Sequence, residues 1–163
     1  MFTKALGEAR WIFAILIAGW LIAIPFLPEL GFLFAGLILF TFYFFRDPER
    51  VPPEGENIAV SPADGVVTTI DEIDEDEFFN KRVRRIGIFL SVLDVHVNRA
   101  PLAGEVTHSI PKPGGFFDAR DPRCSILNQS RSWVFSGPVA MVMVKQITGA
   151  IARRICPWAV VGD

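Results

Sequence analysis

The chain has 163 residues, two cysteines, a formal net charge of −2 and a hydrophobic fraction of 51%. The nearly balanced charge excludes the broad basic field of a nucleic-acid-binding protein, so we expect no nucleic-acid partner. Cys124 and Cys156 lie outside any CxxC or histidine pattern, which predicts reduced, packed thiols and no metal site.

The hydrophobic excess lies near the N-terminus. Residues 11–28 and 30–45 carry no charge, and Glu29 separates them. A secretory signal peptide would be shorter and would end at a small-residue cleavage site. The pattern instead predicts an α-helical hairpin over residues 1–46, with its turn at residues 28–31.

The two arms of this hairpin would span about 27 and 24 Å, close to a bilayer's hydrocarbon thickness. The hairpin is therefore predicted to be transmembrane or re-entrant, with a buried hairpin of a soluble protein as the alternative. Lys4 and Arg10 precede it, and Arg46 and Arg50 follow it. Positive flanks favour the cytoplasmic side, so we expect a cell-membrane protein whose remaining residues are cytoplasmic.

Residues 47–163 are predicted to form a β-rich domain. Short apolar runs bounded by turn residues predict strands at residues 58–60, 65–70, 84–90, 105–109, 133–135 and 139–147. Residues 149–156 are predicted as a last strand, although their spacing also permits a short helix.

Two further patterns concern the strand connections. Residues 71–77 hold six acids and are followed by the basic residues Lys81, Arg82, Arg84 and Arg85, which predicts a solvated hairpin tip with self-pairing charges. In addition, Pro62-Ala63-Asp64-Gly65 and Pro101-Leu102-Ala103-Gly104 are each followed by x-Val. Proline and glycine at these positions favour tight turns, so the repeat predicts a duplicated, barrel-sandwich-like β domain.

Two side chains are candidates for catalysis. His96 lies in a polar segment after an apolar strand, and a neutral imidazole can act as a general base near pH 7. Asp64 lies in the first proline-glycine turn, where it could bond its own backbone or orient a histidine ring. We expect the two to lie near one seam if the two turns are related by symmetry.

Four sequence blocks resemble the phosphatidylserine decarboxylase family in its short bacterial and archaeal form. They are Phe44-Phe45-Arg46-Asp47-Pro48, Ser61-Pro62-Ala63-Asp64-Gly65, residues 94–101 (DVHVNRAP) and residues 146–155 (QITGAIARRI). The resemblance runs from the hairpin to Asp163. Four blocks in the family's order and spacing are a specific signal.

The resemblance implies a pyruvoyl-dependent carboxy-lyase made as a proenzyme that cleaves itself at a Gly-Ser bond. Its base and orienting carboxylate match His96 and Asp64 here. The substrate would be phosphatidylserine or archaetidylserine, and phosphatidylserine would give phosphatidylethanolamine and CO2 in phospholipid biosynthesis. The membrane hairpin suits such a lipid substrate.

The sequence departs from the family's pattern at the nucleophile. No serine follows a glycine, and the chain reaches only Val161-Gly162-Asp163. We therefore expect a β-chain-like part that is competent only with a C-terminal α-chain segment carrying the pyruvoyl-forming serine. The family's Asn-Glu-Arg is replaced by Gln129-Ser130-Arg131, and a second histidine of some members is replaced by Leu93.

Two other functions are compatible with the sequence. The first is a non-catalytic, membrane-tethered β domain of the same family that binds lipid headgroups or a partner. The second is a carrier module of the lipoyl or biotinyl type, which needs a lysine at a hairpin tip. Lys81 and Lys112 are the loop candidates, and neither lies in a Met-Lys or Asp-Lys setting.

Overall fold

The structure is a computed structural model that describes residues 3–55 and 58–163. The chain divides into two units, residues 1–50 with 63–98, and residues 51–62 with 99–163. The predicted domain boundary at residues 46–47 stays a prediction. Strands occur in both units and every sheet is antiparallel, so the β-rich character of the region after the hairpin is confirmed.

The first unit begins with three helices: α1 (Lys4–Glu8), α2 (Arg10–Ala23) and α3 (Pro28–Phe44). Helices α2 and α3 pack antiparallel, since Phe13 lies against Phe42 with ring centroids 4.5 Å apart and Gly19 faces Phe34 nearer the turn. A Cβ at Gly19 would lie 2.7 Å from the Phe34 ring. The missing side chain therefore allows the two helices to approach closely.

The turn between α2 and α3 is formed by residues 24–27, so the predicted turn at residues 28–31 is wrong. Pro28 is the first residue of α3. Proline suits this position because the first helical N–H has no partner within the helix. The negative charge of Glu29 in the first turn interacts favourably with the helix dipole. Within the described residues, no helix is both long and apolar enough to cross a bilayer.

The first unit also contains a two-stranded sheet of β1 (Val66–Glu75) and β2 (Lys81–Phe89). Asp71 pairs with Arg85, and Glu72 pairs with Arg82, so the predicted self-pairing of charges is confirmed. Both pairs lie across β1 and β2, so their predicted place in the hairpin tip is wrong. The buried Glu75 carboxylate accepts hydrogen bonds from main-chain N–H groups of the tip, at residues 77, 78 and 79. This carboxylate fixes the conformation of the turn.

The second unit contains β3 (Glu105–Lys112), the short helix α4 (Cys124–Leu127), β4 (Ser130–Ser136) and β5 (Met141–Ile147). Strand β4 lies between β3 and β5, and its Trp133 and Val134 are buried together with Val106 of β3. Asn128 is 2% exposed. Its side-chain oxygen accepts from the Phe117 N–H, and its nitrogen donates to the carbonyls of Phe117 and Thr148.

Two predicted strands are absent from the described residues. Residues 149–156 form no regular element, because the Gly149 N–H donates to the Ala152 carbonyl and closes a turn instead. Residues 58–60 are also outside any strand. In that segment the Val60 N–H donates to the Pro101 carbonyl at 2.7 Å.

The two proline-glycine turns are alike in detail. Each leads into a strand that carries a bulge after its second residue, at Thr68 in β1 and Thr107 in β3. Each threonine hydroxyl donates to a carbonyl of the partner strand. A Cβ at Gly65 would lie 2.5 Å from the Phe89 carbonyl oxygen, and one at Gly104 would be closer still to a backbone oxygen. Both turns therefore need glycine.

Candidate active site

The segment between β2 and β3 carries His96 and is tied by its own side chains. The Asp94 carboxylate accepts the main-chain N–H of Ser91 at 2.7 Å, and the Asp94 N–H donates to the Ser91 carbonyl at 3.0 Å. The Ser91 N–H holds the pKa of the Asp94 carboxyl below its ordinary value, since it stabilises the charged form. This closed turn sets the direction of the Asp94 carbonyl.

The Asp94 carbonyl determines which nitrogen of His96 carries a proton. The Nδ1 atom lies 3.1 Å from this oxygen. A carbonyl oxygen only accepts hydrogen bonds, so Nδ1 must be the protonated nitrogen. In the neutral ring the other nitrogen, Nε2, then has a lone pair, which is the feature a general base needs.

The environment of His96 favours the neutral ring. The ring stacks on Phe44 with centroids 4.3 Å apart and planes 29° from parallel. Burial is the main cause that lowers the pKa of His96, and the positive charge of Arg46 lowers it too. The hydrogen bond and the negative charge of Asp94 act in the opposite direction. The pKa therefore lies below its ordinary value, and His96 is largely neutral at pH 7.

The C-terminal end of α3 holds the same segment through the Leu93 carbonyl. The Tyr43 hydroxyl donates to this oxygen at 3.1 Å, and Arg46 Nη2 donates to it at 2.7 Å. Arg46 Nη1 also donates to the Tyr43 carbonyl, and the guanidinium lies over the Tyr43 ring, 3.8 Å from its centroid. The helix and the His96 segment are thereby joined next to the catalytic candidate.

Asp64, the second candidate, has a different partner. Two nitrogens of Arg50 donate to its two carboxylate oxygens, in the two-pronged geometry that arginine favours. Both side chains are partly exposed. Asp64 and His96 belong to the same unit, but the structure holds the carboxylate through Arg50 and the imidazole through Phe44 and Asp94. The pairing of Asp64 with His96 stays a prediction.

Five side chains hold these two candidates in place, and residue type alone did not identify them as part of the site: Tyr43, Phe44, Arg46, Arg50 and Asp94. A signal was present, because Phe44 and Arg46 belong to the first family-like block and Asp94 opens the third. Tyr43 and Arg50 lie just outside the first block. Within residues 3–55 and 58–163, no group of three or more metal-ligating side chains is found.

Comparison with known proteins identifies the family. The family described as phosphatidylserine decarboxylase matches residues 37–163. The phosphatidylserine decarboxylase proenzyme of Symbiobacterium thermophilum is 45% identical over 138 residues, covering 82% of this chain and 63% of the relative. The proenzyme of Salinibacter ruber is 42% identical over 152 residues, covering 91% of this chain and 63% of the relative. The chain therefore belongs to the phosphatidylserine decarboxylase family. It spans just under two thirds of the length of these relatives.

Proposed function

We propose that the chain forms part of a phosphatidylserine decarboxylase, a lyase that removes CO2 from a serine phospholipid in phospholipid biosynthesis. The observation that carries this proposal is the state of His96 in a segment that matches the family. Its Nδ1 proton is held by the Asp94 carbonyl, and its Nε2 has a lone pair. Relatives named phosphatidylserine decarboxylase proenzyme support the same reaction class.

We assign His96 the role of general base during maturation of the proenzyme. Its Nε2 takes the proton of a serine hydroxyl, whose oxygen attacks the carbonyl of the preceding glycine. The peptide C–N bond then breaks, so that an ester replaces the amide and the proton passes from Nε2 to the freed amine. A carboxylate near the ring would stabilise the imidazolium that forms, and we assign that role to Asp64. Asp64 would have to release Arg50, with which it is paired in this structure, or act from that pair.

The serine must come from another segment, because none within these 163 residues follows a glycine. We propose that a C-terminal α-chain segment supplies it, in the same reading frame or as a separate chain. The neutral His96 fits the formation of a pyruvoyl group, since that conversion begins with loss of a hydroxyl proton. Once formed, this group supplies a carbonyl that accepts the electron pair left by CO2.

We propose that the α2–α3 hairpin attaches the protein to the cytoplasmic face of the cell membrane. Large apolar side chains of the hairpin are exposed to 70% or more at Trp11, Ile15, Phe26, Phe32 and Leu39. Exposed apolar surface of this extent favours burial in lipid. Basic residues at both ends would meet anionic headgroups, and the phospholipid substrate would be reached from the same surface.

We also infer that the β-rich region is a duplicated, barrel-sandwich-like domain. The shared turns, bulges and threonine hydroxyl bonds support this inference. So do two main-chain bonds, from Val60 to the Pro101 carbonyl and from Arg99 to the Pro62 carbonyl. Val60 and Arg99 are 39 residues apart in the chain, as are Pro62 and Pro101. The two bonds therefore join equivalent positions in opposite directions, as expected when a duplicated segment pairs with its own copy.

The function is tested with the complete product of the reading frame, comparing His96→Gln with His108→Gln. His108 is an exposed residue of β3 and serves as the matched control. We expect the wild type and H108Q to mature into two chains, to react with hydroxylamine at a carbonyl, and to convert phosphatidylserine in vesicles. H96Q should remain uncut. Maturation of H96Q at the wild-type rate would contradict the assigned role, and a wild type without carbonyl or CO2 release would favour the non-catalytic alternative.

A further inference from the structure

The end of α3 contacts the His96 segment at two levels. At the backbone, the Leu93 carbonyl accepts one hydrogen bond from Tyr43 and one from Arg46. The next residue, Asp94, provides the carbonyl that accepts the Nδ1 proton of His96. Fixing the Leu93 peptide therefore restricts the orientation of the adjacent carbonyl, and with it the direction in which Nε2 points.

At the side-chain level, Phe44 covers one face of the imidazole. Phe44 is itself packed edge-on against Phe45, with centroids 5.1 Å apart, so its ring has limited freedom to move away. An aromatic ring stacked on the imidazole fixes the plane of the ring and removes water from one face. Both effects favour a neutral base with a single orientation.

The charged groups around His96 come from the two elements that contact it. The end of α3 contributes the Arg46 guanidinium, and the segment itself contributes Asp94. Arg46 opposes a second positive charge nearby, whereas the Asp94 group favours one. Removal of the arginine would therefore shift the balance toward the imidazolium, which has no lone pair with which to accept a proton.

We propose that Tyr43, Phe44 and Arg46 are positioning residues that hold His96 in the orientation in which Nε2 accepts the proton of the maturation serine. This inference rests on the proposed role of His96 as base. The C-terminal end of α3 then has a function beyond membrane attachment, because the helix that carries the exposed apolar surface also sets the geometry of the base.

Two readouts separate positioning from a merely structural role. The first is the midpoint of the His96 ring titration, followed by NMR, with His108 as an internal reference. The second is the pH profile of proenzyme self-cleavage. We expect Phe44→Leu and Arg46→Gln to move both midpoints upward, since each change removes a cause that lowers the pKa of His96. Arg46→Lys keeps the charge and should bring the midpoint back toward the wild type.

Tyr43→Phe removes one hydroxyl while it keeps the ring beneath Arg46. We expect this variant to leave the midpoint nearly unchanged and to slow self-cleavage about 5- to 10-fold, the effect of one net hydrogen bond on the position of the base. Arg46→Gln removes a charged hydrogen bond as well, so self-cleavage should slow roughly 10- to 100-fold.

Matched controls are available within the described chain. Phe42 is on the same helix and packs against Phe13, so Phe42→Leu should leave the His96 midpoint unchanged. Arg82 forms an exposed ion pair on the β1–β2 hairpin, so Arg82→Gln should also have no effect. The inference is overturned if F44L and R46Q leave midpoint and rate at the control values while H96Q blocks maturation. If H96Q matures normally, the proposed role of His96 as base fails. The titration midpoints of F44L and R46Q would still report the contact between the end of α3 and the His96 ring.

Discussion

Replacing Ile15 with serine tests the membrane assignment of the hairpin. Ile15 lies on α2 with 71% of its surface exposed, so the substitution should disturb folding little. Full burial of an isoleucine side chain contributes about 1.5–3 kcal/mol, and scaling by the exposed fraction leaves about 1–2 kcal/mol for transfer into lipid. We therefore expect I15S to bind vesicles roughly 5- to 30-fold more weakly than the wild type.

Ile126 provides a closely matched control. It is 70% exposed and lies on α4 in the other unit, so Ile126→Ser makes the same chemical change on residues that we assign to the cytoplasm. The assay is sedimentation with phosphatidylserine-containing vesicles across a lipid titration. Equal losses of binding in I15S and I126S would show that general hydrophobicity rather than the hairpin drives binding. Unchanged binding in I15S would refute the placement of α2 in lipid.

Three further predictions concern stability and pH. Asn128→Ala should lower the free energy of unfolding in urea by about 3 kcal/mol, because it removes three hydrogen bonds, one of them to the carbonyl of the buried Thr148. Asn128→Asp should lower it further, since its carboxylate would face two carbonyls. Gly65→Ala should lower the free energy of unfolding by about 2 kcal/mol or more, because φ of Gly65 is +152° and the new Cβ would lie 2.5 Å from a backbone oxygen. Gly36→Ala, with open space around its Cβ, should instead stabilise α3 by about 0.5–1 kcal/mol. Stability should fall as the pH drops below the ordinary histidine pKa of 6.5, because the unfolded chain binds the His96 proton more readily than the folded chain. A urea titration of H96Q should show a weaker decline, and an equal decline would contradict the assignment to this group.

The regular elements were largely predictable because they depend on local patterns. Short apolar runs between turn signals located β1 to β5, and uncharged stretches located α2 and α3. The hairpin turn was misplaced because Pro28 signals both a turn and the first residue of a helix, and the sequence alone does not distinguish the two. Residues 149–156 were misassigned because their spacing fits several structures, and a hydrogen bond across a turn determines the actual one.

The candidate site was only partly predictable, for a physical reason. His96 and Asp64 could be selected by residue type and by their sequence blocks. Their partners could not, because the contact of Tyr43 and Arg46 with Leu93 joins residues about 50 positions apart in the chain. The protonated nitrogen of His96 depends on a single main-chain carbonyl two residues away, and no sequence pattern specifies the direction of that carbonyl.

The central claim, that His96 is a neutral base with its lone pair on Nε2, is tested most directly by nitrogen NMR. Uniformly ¹⁵N-labelled protein is measured at pH 7, and long-range proton–nitrogen correlations assign the protonated nitrogen of each histidine ring. We expect a neutral His96 ring with its proton on Nδ1. A ring protonated on Nε2, or on both nitrogens at this pH, would contradict it.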